Sequence, residues 1–249
     1  MEPSVCEAAA TSGSLKGRSQ VACSQCTLGK LCLPKNLDDA QLRQFERIVQ
    51  KLRPLQKGEH IFRAGETFTS IVSVRSGSFK SYVINEEGEE QVLGFHLPGE
   101  LIGLDAIHAT THTANVVALD TSAVCALNFE SVADMARHLP ELQTELFRIM
   151  SRHIAELEAN AADLTADQRI ARFLLSLSHR FERRGYSRNE FNLSMARRDI
   201  ASHLRLATET VSRVLARFQE AGLLRVNRKN ILIEDFEALE AISHPAEED

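Results

Sequence analysis

Seven of the chain's twelve glycines fall in the 46 residues from Gly58 to Gly103. Gly58, Gly65, Gly77, Gly88, Gly94, Gly99 and Gly103 separate apolar runs too short for helices, at 60–63, 70–74, 79–84 and 91–96. Short runs with turn signals between them predict an antiparallel β-barrel or sandwich. Further strands fit 114–119 and 122–127. This all-β domain is placed at 54–138.

The flanking segments differ in texture. Residues 1–22 are small and polar, without periodicity, and read as a tail. Residues 23–53 hold a cysteine cluster and then a helix. Asn36 or Asp38 offers its N-cap, and Leu42, Phe45, Ile48, Val49 and Leu52 recur at helical spacing. Phe147, Met150, Ile154, Leu157, Ala161 and Leu164 alternate in steps of three and four, the seam of a paired helix. The helix is placed at 139–166. It can pack on its own β-domain, but a 3.5-residue period with no second such helix nearby favours a homodimer. Residues 167–240 read as a DNA-binding domain, and 241–249 as an acidic tail.

Charge separates these modules. The net charge of −5 by itself argues against a nucleic-acid partner, but its distribution argues for one. Residues 168–230 carry 14 Lys and Arg against 5 Asp and Glu. A basic module on an acidic body suits a polyanion partner at one end. No apolar run is long enough to span a bilayer, and no apolar stretch follows the short 8–10 run as a secretory leader requires. The cytoplasm is expected, with no membrane partner. No P-loop, dinucleotide fingerprint, metalloprotease helix or nucleophile elbow is present, so no catalytic residue is assigned.

Residues 195–221 fit two helices joined by a tight turn. The first is 196–204, with Ile200, Ala201 and Leu204 apolar. The turn is 205–207, and Thr208 is expected to cap the second helix. Val211, Leu215 and Phe218 then face the first helix, while Glu209, Ser212 and Arg213 project from the opposite face. In a helix-turn-helix, residues near the start of the second helix reach base edges in the major groove. Arg213 suits guanine O6 and N7, Glu209 suits cytosine N4, and Ser212 suits either kind of edge. Arg197, Arg198, Arg205 and Arg217 suit phosphates. Residues 224–226 and 231–233 flank a hairpin turn whose Arg228 and Lys229 form a basic wing.

The five cysteines are Cys6, Cys23, Cys26, Cys32 and Cys125. An odd number with three in ten residues is no disulfide framework. Cys23, Cys26 and Cys32 supply three thiolates on one loop, and Cys125 is a fourth from another segment. Four thiolates suit tetrahedral zinc or an iron–sulfur cluster. The three-plus-one arrangement leans toward a cluster, and spacing alone leaves both open. Cys6 has no partner at a sensible spacing. His96, His108 and His112 lack paired spacing and read as packed or surface residues.

In combination these elements resemble the fumarate-and-nitrate-reduction regulators, the oxygen-sensing branch of the cyclic-AMP receptor protein superfamily. The resemblance spans roughly residues 23–235. It rests on Cys23–Cys32, the phrases at 84–91 and 94–104, Cys125, and Thr208-Glu209-Thr210-Val211-Ser212-Arg213. It implies an α+β chain: an N-terminal antiparallel β-barrel of the cyclic-nucleotide-binding jelly-roll kind, a long dimerisation helix and a C-terminal winged helix-turn-helix. It implies that Cys23, Cys26, Cys32 and Cys125 hold a [4Fe-4S] cluster under low oxygen, which oxygen converts to [2Fe-2S]. The cluster-bound homodimer would read a palindrome like TTGAT-N4-ATCAA, and barrel loops would contact RNA polymerase. A cyclic nucleotide is not expected. Gly99-Glu100 is followed by His112-Thr113-Ala114, with no arginine between Glu100 and Arg137 to pair a phosphate.

Two positions depart from the family pattern. Arg205 stands in the turn where the family usually has glycine, which implies strain of about 1 kcal/mol if φ is positive there. Leu157 stands in the seam where relatives place an acidic residue, which implies that the cluster-free chain pairs more readily.

Overall fold

A computed structural model describes residues 22–29, 31–33, 37–160 and 164–244, with the side chains of 156–160 excepted. The described parts of Met1–Val83 and Leu93–Asn160 form one compact unit, and those of Ile84–Val92 and Ala161–Asp249 form another. Residues 1–21 of the expected tail at 1–22, Cys6, Ala161 and residues 245–249 of the expected acidic tail at 241–249 lie outside the described residues, as does the side chain of Leu157.

The first unit opens with a single 3-10 turn, Cys23–Gln25, followed by α1, Asp39–Glu46. Asp38 caps α1: its carboxylate accepts from the backbone N–H of Ala40 and Gln41, and the Gln41 side chain accepts from the Asp38 N–H. This reciprocal box satisfies donors that a helix start leaves open. Asp38, not Asn36, is thus the cap. The helix stops at Glu46, short of the expected reach to Leu52. Val49–Lys51 instead forms strand β1, pairing with β8 through Val49↔Leu127 and Lys51↔Cys125. The apolar spacing from Phe45 to Leu52 suited either state, and an open sheet edge decided it. The β-domain therefore begins before the expected boundary at 54.

The remaining strands are β2 (His60–Phe62), β3 (Ser70–Ser76), β4 (Phe79–Ile84), β5 (Glu90–His96), β6 (Leu101–Ile102), β7 (Asn115–Ala118) and β8 (Ala123–Asn128). They form two four-stranded sheets, ordered β1-β8-β3-β6 and β2-β7-β4-β5. The barrel-or-sandwich alternative resolves into two facing sheets, as in a jelly roll. Alternation along β3 and β8 builds two cores. Val72, Val74 and Val124 point between the sheets, with Ile61, Phe62, Phe79, Val116 and Ala118. Ile71 and Leu127 point outward, onto Leu33, Phe45, Val49, Val132, Met135 and Leu142. The second core packs helices on the outer face of β1-β8-β3-β6. That face also carries Cys125 and Ser73.

A short helix α2, Ala106–Ala109, lies between β6 and β7. Helix α3, Phe129–His138, starts at Asn128, whose side chain accepts from the Ser131 N–H. Helix α4, Pro140–Asn160, opens on proline, whose missing N–H costs nothing in the first turn. Two apolar rows run along α4. Leu142, Leu146 and Ile149 pack on the outer core, whereas Phe147, Met150 and Ile154 are exposed. The helix covers its own β-domain and keeps a second apolar row outward. The expected seam does not extend to Leu164. That residue is non-helical and buried, directly before Thr165, which caps the next helix. No helix among the described residues is long and apolar enough to cross a membrane.

The second unit comprises α5 (Ala166–Glu182), β9 (Glu190–Asn192), α6 (Arg197–Leu204), α7 (Thr208–Glu220), β10 (Leu224–Asn227), β11 (Asn230–Ile233) and α8 (Phe236–Ser243). Ile170, Phe173, Leu174 and Leu177 bury the inner face of α5, which packs against α7 and α8. The sheet order is β10-β11-β9, so the expected hairpin gains a third strand. Gly222, at φ +73, turns the chain out of α7.

Candidate metal centre and nucleic-acid interface

The cysteine loop is a run of tight turns. Backbone bonds join Cys26 N–H to Cys23 O (3.1 Å), Gly29 N–H to Cys26 O (3.0 Å) and Cys32 N–H to Leu28 O (2.9 Å). Two anchors hold it. The N–H and hydroxyl of Ser24 both donate to Glu46 at the end of α1, at 3.0 and 3.2 Å. Leu31 lies against Gly99, where an added Cβ would stand 2.8 Å from the Leu31 Cβ. Gly99 also has φ +89, so the turn and the close approach both require glycine.

Cys23, Cys26, Cys32 and Cys125 line one pocket, closed by Leu28, Phe45, Val49, Val74 and Leu127 and edged by Ser73 and Arg75. Leu28 is one of the apolar residues that line this pocket. Leu33 is wholly buried in the outer core and anchors the loop, while Leu31 sits on Gly99. Burial pushes the Cys23 thiol up to about 12, with further contributions from Cys32, Glu46, Cys125 and Cys26. Burial and the neighbouring Cys32 push Cys125 up to about 11, against the pull of Arg75 and Lys51. Cys32 is also raised by burial, partly offset by the Ser73 hydroxyl. Sulfurs that resist ionisation because they are buried, and secondarily because they crowd one another, suit a shared cationic group, which offsets both effects.

Among the described residues no group of His, Cys, Asp and Glu is gathered closely enough to hold a metal ion. Four zinc thiolates would converge on one centre at ~2.3 Å each. A four-iron cluster takes one thiolate per iron and spreads them round a larger body. Four thiols lining one pocket are a donor set that either group could use. Two of the three histidines weighed are otherwise engaged: His96 Nε2 lies 3.1 Å from Ser81 Oγ, and His112 stacks on Phe62 at 3.5 Å between centroids, while His108 is exposed.

The second unit presents a helix-turn-helix. Val211, Val214, Leu215 and Phe218 bury one face of α7, and Glu209, Ser212 and Arg213 are exposed on the other. Ser212 Oγ donates to Thr208 O at 3.1 Å, and Arg213 donates to Thr210 Oγ1 at 3.3 Å. These bonds are local and leave both side chains at the surface. Thr208 is the first helical residue rather than the cap; Ala207 holds the cap position without a side-chain acceptor. Arg205 takes φ 53 and ψ 48, the left-handed conformation that its place in the turn demands.

The six basic residues expected at phosphates divide. Arg198, Arg205, Arg228 and Lys229 are exposed. Arg217 instead pairs with Asp167 in the first turn of α5. Arg197 turns inward: its Nη1 is sealed from solvent and its Nη2 donates to Arg228 O at 3.4 Å. Arg197 therefore braces the wing turn, which Lys229 O also fixes by accepting from the Leu193 N–H at 2.8 Å. Sequence reasoning missed Glu46 and Ser73, and read Gly99 as a turn glycine without its contact to Leu31. Ser73 left a trace, as a hydroxyl set between Val72 and Val74.

Comparison with known proteins agrees with both halves. Residues 52–138 match the cyclic nucleotide-binding domain family, and residues 168–242 match the Crp-like helix-turn-helix domain family. The transcriptional activator protein Anr of Pseudomonas protegens is 44% identical over 89% of this chain and 92% of its own length. The fumarate and nitrate reduction regulatory protein of Escherichia coli is 41% identical over 90% of each chain. The structure of FixK2 from Bradyrhizobium japonicum superposes with TM-score 0.72 at 26% identity, covering 80% of this chain and 99% of that one. Identity this high across both units carries the DNA-reading domain with it and leaves no place for an enzyme. The chain is a DNA-binding transcription regulator and belongs to the fumarate and nitrate reduction branch of the cyclic-AMP receptor protein superfamily.

Proposed function

We propose that this regulator binds DNA as a homodimer whose state is set by an oxygen-labile [4Fe-4S] cluster held by Cys23, Cys26, Cys32 and Cys125. The observation that carries the reading is the meeting of all four thiols in one apolar-walled pocket. When bound, the cluster supplies an oxygen-labile link between the cysteine loop and strand β8. The residues do the rest. Leu28, Phe45 and Leu127 limit solvent at the sulfurs. Phe147, Met150 and Ile154 offer a partner copy an apolar row, with Leu157 next along the seam. Glu209, Ser212 and Arg213 read base edges in each half of a TTGAT-N4-ATCAA-like palindrome, about 34 Å apart in a dimer. Arg198, Arg205, Arg228 and Lys229 meet phosphates. Loops of the β-domain contact RNA polymerase. No cyclic nucleotide takes part: the segment after Glu100 has no arginine before Arg137, and the Glu100 carboxylate accepts from the Leu97 N–H at 3.0 Å.

The test is iron and acid-labile sulfide per chain on protein purified without oxygen, with a visible absorption spectrum. About four of each, and a broad band lost in air, are expected. One zinc and no sulfide would overturn the oxygen mechanism while leaving the DNA-binding role standing.

A further inference from the structure

Strand β3 alternates between the two cores, and its outward residues near the cysteines are Ile71, Ser73 and Arg75. Ser73 is 3% exposed. Its Cα pairs across the sheet with Cys125, and its Oγ lies 3.2 Å from Cys32 Sγ. It therefore stands between the loop's last cysteine and the cysteine of β8. A buried hydroxyl costs free energy unless it is hydrogen-bonded, and among the described residues the side-chain partner in place for this one is a sulfur. When Cys32 is a free thiol, either atom can donate. Once Cys32 is a ligated thiolate it has no proton, so the hydroxyl must be the donor.

We infer that Ser73 is a positioning and tuning residue of the metal centre, donating a hydrogen bond to the Cys32 thiolate that slows oxidative loss of the cluster. The inference rests on the cluster reading above. No bond to sulfur is made or broken by Ser73, and its proton stays on Oγ. The bond stabilises negative charge on the sulfur. Electron loss removes part of that charge, so the bond favours the form that has not lost an electron. Oxidation in air, with dioxygen taking the electron, is thereby made less favourable. An alanine in place of Ser73 would keep the β3 backbone and leave no donor there.

Anaerobically purified wild type, Ser73→Ala and Ser73→Thr are compared for iron and sulfide content, for bleaching of the visible band in air, and for iron loss to a chelator under argon. Ser73→Ala is expected to hold the same iron and sulfide and to bleach roughly three- to tenfold faster. Its iron loss under argon is expected to be unchanged, and Ser73→Thr, which restores a hydroxyl, is expected to approach wild type. Equal bleaching of wild type and Ser73→Ala would overturn the inference. Iron loss under argon accelerated as much as bleaching would also overturn it, since Ser73 would then merely hold the site together. A wild type without iron and sulfide would instead overturn the cluster reading on which the inference depends.

Discussion

At the scale of single residues, the regulator tolerates several polar groups in costly places. His112 is 4% exposed, stacked on Phe62 and edged by Phe68, and its Nδ1 has no hydrogen-bond partner among the described residues. Burial pulls its pKa below the ordinary 6.5, against the attraction of Asp105 and Glu66. The folded chain therefore binds this proton less readily than the unfolded chain. Stability is fully present above about 6.5 and is lost as pH falls through that value toward the lower folded pKa. His112→Phe keeps a ring between Phe62 and Phe68 and removes the titration. Its melting temperature is expected to fall less than that of wild type between about pH 7.5 and pH 5.5. Parallel curves for the two proteins would remove His112 as the source. Arg205, in the left-handed region at φ 53, is a second such cost, of about 1 kcal/mol.

Elements act here through their faces. Helix α4 has one row of leucine and isoleucine bound to the outer core and another row left outward, with Phe147 60% and Ile154 56% exposed. Replacing an outward residue changes the monomer's packing little, because it touches no core. Phe147→Glu and Ile154→Glu are each expected to leave the fold and any metal content intact and to make the chain monomeric. Each apolar side chain removed contributes roughly 1.5–3 kcal/mol per protomer, so dimerisation weakens on the order of a hundredfold or more. Sedimentation reads this directly; a dimer that survives Ile154→Glu would place the partner surface elsewhere. The same alternation governs β3 and β8, where neighbouring residues serve different cores. That is why Ser73 and Cys125 reach the cysteine pocket while Val72 and Val124 fill the sheet interior.

For the whole molecule, charge is partitioned between the units: 14 Lys and Arg against 5 Asp and Glu at 168–230 in a chain of net −5. DNA affinity is therefore expected to fall steeply with salt, and the exposed wing residues Arg228 and Lys229 to contribute to that slope. Alanine at both is expected to lower the slope of log K against log salt by about 0.9 for each phosphate that is no longer neutralised. An unchanged slope would show that the wing does not touch the backbone. Arg217, already paired with Asp167, is expected to contribute less.

Much of this was legible in the chain itself, because the signals are local. Glycine spacing marked the strand breaks, the basic stretch at 168–230 marked the DNA end, and the alternation of Glu209, Val211, Ser212 and Arg213 set the two faces of α7. The resemblance carried by Cys23, Cys26, Cys32 and Cys125 pointed to the family without any knowledge of packing. Tertiary structure decided what depends on distant partners. Val49 became a strand residue because β8 offered it an edge, and Leu164 left the seam because it is buried beside the cap of α5. Arg197 and Arg217 look alike in sequence to Arg198 and Arg205, but neighbours on the wing and on α5 engage them. Ser73 meets Cys32 across 41 positions. No periodicity encodes such a meeting, since it is set by which strands pair and which face each side chain takes.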